Sequence, residues 1–91
     1  MRNDLDTKQL LHGYNVICTH GSKNEQYFLL NGIKAWSDFD GYSVYLSNGP
    51  VTLSIYFHGK YHAEYKKNDE LENFLKQLRR IITDNKPDGE N

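Results

Sequence analysis

The chain has 91 residues, with 11 Lys and Arg against 12 Asp and Glu, so its formal net charge is −1. This length supports a single domain, and the balanced charge provides no overall positive field that would attract nucleic acid. Aromatic residues make up 13% of the chain, which is more than a disordered segment carries. Composition therefore predicts one folded domain over residues 1–83, followed by a flexible polar tail over residues 84–91.

The N-terminal segment and the cysteine content predict a cytoplasmic protein. Residues 1–6 lack a hydrophobic export signal, and no apolar run approaches the ~20 residues that span a bilayer. Cys18 is the only cysteine, so no internal disulfide can form, which fits a reducing compartment. We expect no membrane contact, and we expect Cys18 to pack on the apolar side of a helix.

Apolar residues at helical spacing predict one helix near each end of the chain. The first helix is predicted from Thr7 to His20, with Asp6 as its N-cap. Its apolar stripe comprises Leu10, Leu11, Tyr14, Ile17 and Cys18. The second helix is predicted to begin with a cap at Asn68 or Asp69. Its stripe comprises Leu71, Phe74, Leu75, Leu78, Ile81 and Ile82.

Between the helices, turn signals separate short segments that are rich in β-branched and aromatic residues. These signals are Asn31-Gly32, the segment 38–41, Asn48-Gly49-Pro50 and Gly59-Lys60. The pattern predicts an α+β fold, in which an antiparallel meander of about five strands has the N-terminal and C-terminal helices packed on one face. Residues 22–25 are predicted to form a polar loop.

Loop lengths decide which side chains share a face of the sheet. A two-residue Asn31-Gly32 turn pairs Leu30 with Ile33, a loop over 38–41 pairs Ser37 with Tyr42, and a loop over 47–50 pairs Leu46 with Val51. One predicted face then holds the core residues Phe28, Leu30, Ile33, Ala35, Tyr42, Val44, Leu46, Val51, Leu53, Ile55 and Phe57. The opposite face holds Tyr27, Leu29, Lys34, Trp36, Ser43, Tyr45, Ser47, Thr52, Ser54, Tyr56 and His58.

The last hairpin allows two registers. A two-residue turn at Gly59-Lys60 would place Tyr61, Ala63 and Tyr65 on the face that carries His58. A three-residue loop would send these residues to the core side and bring His58, His62 and Glu64 together. Turn chemistry favours the first register and burial of the tyrosines favours the second, which we adopt.

The sequence lacks the common motifs of catalysis. It contains no glycine-rich phosphate loop, no CxxC pair, no HExxH and no serine in a nucleophile elbow. Asp38 and Asp40 are interpreted as turn-forming residues, and His58, His62 and Glu64 form a metal or acid–base cluster only in the second register. Histidines at strand ends are usually solvated, so we expect a protein that is not an enzyme and that binds no cofactor and no metal. A metal-dependent enzyme that uses His58, His62 and Glu64 is the least favoured alternative.

The predicted outer sheet face is the candidate binding surface. Its binding residues are Tyr27, Leu29, Trp36, Tyr45, Tyr56 and His58. Aromatic residues favour strands in any case, but exposed Trp, Tyr and Leu together are typical of interfaces. We expect a protein partner or self-association. Nucleic acid is a less favoured partner, because acidic residues are interspersed among the basic ones near the second helix.

Segments of the chain resemble two known families. Segments 37–42, 51–53 and 57–61 (SDFDGY, VTL and FHGKY) resemble a small family of uncharacterised gammaproteobacterial proteins, known as a domain of unknown function. This resemblance implies a bacterial cytoplasmic protein and no particular activity. The segment 28–34 (FLLNGIK) with the following Asp38-Phe39-Asp40 is similar to the first half of the Sm-like RNA chaperone Hfq. That similarity implies RNA binding as the alternative function.

Overall fold

The structure, a computed structural model, describes residues 7–56 and 59–85. Within these residues the six strands of an antiparallel sheet come between an N-terminal and a C-terminal helix in the chain, and they are ordered in the sheet as they are in the chain. The elements are α1 (Thr7–His20), β1 (Ser22–Lys23), β2 (Phe28–Leu30), β3 (Ile33–Ser37), β4 (Ser43–Ser47), β5 (Thr52–Tyr56), β6 (Tyr61–Glu64) and α2 (Asn68–Asp84). The α+β meander with terminal helices is confirmed, and α1 has its predicted bounds.

The sheet has one strand more than predicted, because the segment predicted as a polar loop contains β1. Ser22 lies opposite Leu29, and Lys23 lies opposite Phe28. The Asn24 side-chain oxygen accepts the N–H groups of Gln26 and Tyr27 at 2.8 and 2.9 Å. This turn reverses the chain so that β1 pairs with β2. The strand was missed because its two residues are polar and show no apolar alternation.

The first hairpin has the predicted register, with Leu30 opposite Ile33. Its turn residues Asn31 and Gly32 adopt φ values of 48° and 87°, as the two-residue turn requires. The Gln77 side chain of α2 covers this turn, since its Nε2 donates to the Asn31 carbonyl at 2.8 Å. A Cβ atom at Gly32 would lie 2.7 Å from that Nε2, so both backbone angle and space favour glycine.

The next two loops differ from the prediction, the first in its position along the chain and the second in its length. Asp38 N–H donates to the Ser43 carbonyl at 2.9 Å, so the loop covers 39–42 and Ser37 lies opposite Val44. Tyr42, predicted in the core, is 62% exposed because it belongs to this loop. The prediction was wrong because Asp40 accepts the Tyr42 N–H at 3.0 Å and thereby moves the turn one residue along the chain.

Asn48 sets the loop between β4 and β5. Its N–H donates to the Val51 carbonyl at 3.1 Å, and its Oδ1 accepts the Val51 N–H at 3.1 Å. The loop is therefore Gly49-Pro50, and Ser47 lies opposite Thr52. Asn48 Nδ2 also donates to Gln77 Oε1 at 3.1 Å. Both corrected registers shift by two residues, and an even shift leaves every side chain on its predicted face.

The last hairpin follows the three-residue register. Tyr56 N–H donates to the Lys60 carbonyl at 2.8 Å, and Leu53 lies opposite Ala63. Tyr61 and Ala63 therefore share the core side of the sheet, as expected. Tyr61 is nevertheless 39% exposed, because β6 is the edge strand.

The core lies between the aliphatic sheet face and both helices. Its buried residues are Leu10, Val16, Ile17, Ile33, Ala35, Leu46, Val51, Leu53, Ile55, Leu71, Phe74, Leu78 and Ile81. Leu11, predicted in this core, is 39% exposed, because α1 is rotated so that Gly13 and Val16 face inward instead. Gly13 allows close approach of the helices, since a Cβ there would lie 2.7 Å from Leu78 Cδ1. Phe57, also predicted in the core, lies outside the described residues.

The start of α2 differs slightly from the prediction. Lys67, rather than Asn68 or Asp69, is the N-cap residue. The Glu70 carboxylate accepts the N–H groups of Lys66 and Lys67 at 3.1 and 3.2 Å. Glu70 therefore provides the carboxylate of the capping box at the start of α2. The predicted α1 cap, Asp6, and the tail from residue 86 onward lie outside the described residues. Neither described helix has the length and apolar content to cross a membrane.

Candidate interaction surface

The sheet face opposite the helices, here called the outer face, remains uncovered in the part of the chain that the structure describes. Its side chains in β3, β4 and β5 are Lys34, Trp36, Ser43, Tyr45, Ser47, Thr52, Ser54 and Tyr56, and each is half-buried or exposed. The alternate residues of the same strands, Ile33, Ala35, Val44, Leu46, Leu53 and Ile55, point to the opposite face and belong to the core. The alternation that builds the core therefore also gives the outer face its aromatic and hydroxyl groups.

A stacked pair of rings occupies the middle of the outer face. The sheet register places Trp36 opposite Tyr45, and their ring centroids lie 5.4 Å apart with an angle of 19° between the planes. Such aromatic pairs contribute about 0.5–1.5 kcal/mol beyond the area that they bury. The pair therefore holds the indole in a defined orientation on an accessible surface.

A hydrogen bond fixes the other end of this pair. The Tyr45 hydroxyl donates to Asp38 Oδ1 at 2.9 Å. This bond raises the pKa of Tyr45, with smaller contributions from desolvation and from the negative charge of Asp38. The carboxylate at the end of β3 thus orients a ring in β4, which the sequence analysis did not foresee.

A positive charge lies beside the rings. Lys34 Nζ is 4.7 Å from the centroid of the Tyr27 ring, within the range of a cation–π contact. Gln26, Tyr27, Lys34 and Trp36 line an open groove of about 300 Å³. Leu29 lies opposite Lys34 and is 40% exposed. The groove therefore combines aromatic walls, a nearby aliphatic side chain and one cation.

The structure brings most of the predicted binding residues together. Tyr27, Leu29, Trp36 and Tyr45 lie around the groove and the stacked pair. Tyr56 is on the same face, opposite Ser43, and it is near enough for its charge to affect Tyr45. His58 lies outside the described residues.

His62 and Glu64 also reach the outer face, as the three-residue register predicts. His62 Nε2 lies 3.8 Å from Glu64 Oε2, and the two side chains are 60% and 73% exposed. Across residues 7–56 and 59–85, no group of three His, Cys, Asp or Glu side chains is placed to hold a metal ion. The third predicted member of this cluster, His58, is not among those residues.

Phe39 is a candidate contact residue that the sequence analysis missed. It lies in the loop between β3 and β4, and its relative exposure of 109% makes it fully accessible. The signal was available in the sequence, since Phe39 is an apolar ring between two aspartates that form the turn. The two aspartates were interpreted as turn-forming residues, and the ring between them, which makes no contact with the core, was not considered.

Cys18 packs as expected rather than serving the outer face. The residue is half-buried at the margin of the core. Burial raises the pKa of its thiol, and a hydrogen bond with Tyr14 opposes part of that shift. A protonated thiol is a poor nucleophile, so the structural interpretation of Cys18 stands.

A family model described as "Protein of unknown function (DUF3081)" matches residues 5–87. This range includes both helices and all of the described sheet, so the match rests on the whole fold. Neither the curated proteins nor the solved structures that were compared with the chain include a significant match. The family description states no activity, and the geometry of the outer face is the remaining guide to function.

Proposed function

The chain belongs to DUF3081, a family of proteins of unknown function, and from the geometry of its sheet we propose that it is a non-enzymatic protein-interaction module. Its binding surface is the outer face, and its partner is another protein. The observation that carries this proposal is the stacked Trp36–Tyr45 pair on a sheet face that neither helix covers.

The stacked pair has the properties of an interface anchor. Trp and Tyr dominate the binding energy of protein interfaces when a partner desolvates them. The strand register and the Asp38 bond restrict both rings before binding, so little side-chain entropy remains to be lost. Four hydroxyl side chains lie around the rings and can bond a partner at the rim: Ser43, Ser47, Thr52 and Ser54.

The groove beside the pair indicates what the partner contributes. Its walls, Tyr27 and Trp36, accept an apolar side chain, and Lys34 favours an acidic group nearby. We infer a partner segment with an apolar or aromatic anchor next to an Asp or Glu. The protein would act by binding alone, without chemical change to its partner, in a cytoplasmic setting.

A Trp36→Glu variant tests the proposal. A tagged wild-type chain and the variant are compared by crosslinking in extract of the source cells, followed by identification of the bound proteins. We expect the specifically bound partner to be lost at least about tenfold, because a hot-spot side chain contributes about 2 kcal/mol or more. The matched control is Leu11→Glu, which also replaces an apolar side chain with glutamate, at an exposed position of α1.

Both variants must retain the far-ultraviolet circular dichroism and the cooperative unfolding of the wild type. If Trp36→Glu keeps the same bound proteins and the same mass in solution, the outer face is not the binding surface. If its mass falls while no other protein is lost, the outer face binds a second copy instead.

RNA binding is the second candidate, because stacked rings beside a cation are also the arrangement on which unpaired bases stack. It ranks lower because Asp38 and Glu64 place negative charge on the same face. Filter binding of single-stranded RNA across a salt series separates the two candidates, since an RNA-binding surface must weaken steeply as salt rises.

A further inference from the structure

The exposed edge of β6 is a second surface, distinct from the stacked pair and the groove of the outer face. β6 is the last strand of the sheet, so one side of it has no strand partner among the described residues. Proteins commonly protect such edges with proline, a bulge or repelling charges. The segment 61–65 has no proline, and its two charged-type residues, His62 and Glu64, are of opposite kind.

The backbone of β6 points hydrogen-bonding groups outward at known positions. The bond from Tyr56 N–H to the Lys60 carbonyl, at 2.8 Å, marks a hydrogen-bonded pair. These pairs alternate along an antiparallel ladder, so His62 and Glu64 also bond to β5. The N–H and C=O groups of Tyr61 and Ala63 therefore point away from the sheet.

We propose that a second copy of this chain pairs with β6 edge to edge, in antiparallel orientation about a two-fold axis. Outward-pointing residues must then face one another, and this condition leaves two registers that fit the charges. Centred on Ala63, the pairing sets His62 opposite Glu64 of the second copy. Centred on His62, it sets Lys60 opposite Glu64 of the second copy.

Both registers place a basic side chain opposite Glu64 at a non-hydrogen-bonded pair, where the Cα atoms approach to about 4.5 Å. Tyr61 and Tyr65 are each 39% exposed, and the second copy would cover them. The strand has only four residues, so the interface is small. We expect a dissociation constant on the order of micromolar.

Sedimentation velocity across a concentration series tests the dimer. We expect the wild type to change from monomer to dimer, and Glu64→Lys to weaken this association at least about tenfold. The control Glu72→Lys makes the same charge change at an exposed position of α2 and should leave the dimer intact. Trp36→Glu should also leave it intact, which separates this proposal from the proposed function.

Charge exchange identifies the register. The double variant His62→Glu with Glu64→Lys restores dimerisation if the axis passes Ala63. The double variant Lys60→Glu with Glu64→Lys restores it if the axis passes His62. Recovery in neither double variant would contradict the pairing.

Ala63→Pro tests the backbone pairing without a change in charge. Proline is tolerated at a sheet edge where the N–H faces away from the ladder, so the fold should persist while the dimer is lost.

Amide hydrogen exchange of the wild type tests the same pairing without a variant. Exchange at Tyr61 and Ala63 should slow as concentration rises. A wild type that stays monomeric, or exchange there that ignores concentration, would overturn the proposal.

Discussion

Tyr45 shows how a single hydroxyl can link two strands at the surface. Its bond to Asp38 Oδ1, at 2.9 Å, bridges the loop from the end of β3 to β4. The carboxylate stabilises the protonated phenol, and for this reason the pKa of Tyr45 rises above the ordinary value of 10.0. The ring that stacks on Trp36 is thus held by a contact that responds to alkaline pH.

Asp38→Asn is expected to lower the pKa of Tyr45, because it removes the negative charge beside the phenol. An ultraviolet titration of phenolate absorbance measures this change, and Tyr45→Phe identifies the signal that belongs to this residue. A Tyr45 titration that is the same in both proteins would contradict the bond.

The stability that this bond contributes has a defined pH window. The folded pKa is raised, so the contribution is fully present below the ordinary value of 10.0 and is lost as pH rises through the folded value. The difference in unfolding midpoint between wild type and Asp38→Asn should therefore shrink in alkaline buffer.

Single residues also mark the limit of sequence reasoning. The aromatic character of the outer face follows from alternation, so Trp36 and Tyr45 were predictable. The partners that orient them were not, because the Asp38 bond depends on a loop register and the Lys34–Tyr27 contact on side-chain conformation. Phe39 was predictable as an exposed ring, because it lies between two turn-forming aspartates.

The two helices differ in how strongly their sequences define an inward face. In α2 the apolar stripe is regular, and its buried residues Leu71, Phe74, Leu78 and Ile81 all belong to the predicted stripe. In α1 a glycine interrupts the stripe, and the helix turns that glycine toward its neighbour. Burial of Gly13 and Val16 in place of Leu11 follows from this close approach, which apolar spacing alone cannot reveal.

Gly13→Ala is expected to destabilise the protein although alanine favours helices. The new Cβ would lie 2.7 Å from Leu78 Cδ1, and Leu78 is only 2% exposed, so it has little room to move. Overpacking costs about 1–3 kcal/mol and the gain in helix propensity is about 1 kcal/mol. We expect a net loss of about 1 kcal/mol, measured by urea unfolding.

The background Leu78→Ala provides the control for this prediction. Removal of the clashing side chain should make Gly13→Ala neutral or stabilising there, so the double-mutant cycle yields a favourable coupling energy. An equal loss in both backgrounds would show that helix contact does not explain the glycine.

Strand faces were predictable where strand pairs were not. Two loops differ from the prediction in register, yet each error is an even number of residues, so aliphatic and aromatic side chains keep their sides. The short strand β1 was missed because two polar residues carry no alternation. Its pairing depends on the Asn24 turn, a local side-chain effect.

At the scale of the whole molecule, the described chain is stabilised by one hydrophobic core between the sheet and the two helices. The helices and the sheet form two layers, and the buried residues belong to a single cluster in the described chain. A domain of this size has about 5–15 kcal/mol of stability in total. The outer face adds little to that core, so substitutions there should cost little stability.

Phe74→Ala tests this dependence, since Phe74 is fully buried with 0% exposure. Loss of a buried phenylalanine costs about 3–5 kcal/mol, a large part of the whole. We expect a clear fall in the urea midpoint, and Phe74→Leu should lose less because it leaves a smaller cavity. A small loss in Phe74→Ala would mean that the α2–sheet contact is not the main core.

Gln77 couples two turns at one end of the sheet. Its single amide group bonds the reversal at Asn31 and the reversal at Asn48, which are far apart in sequence but lie over one turn of α2. Neither reversal can swing outward without disturbing the same side chain. Motion at that end of the sheet should therefore occur as one concerted opening, whereas the opposite end, with Phe39 at its tip, can fluctuate alone.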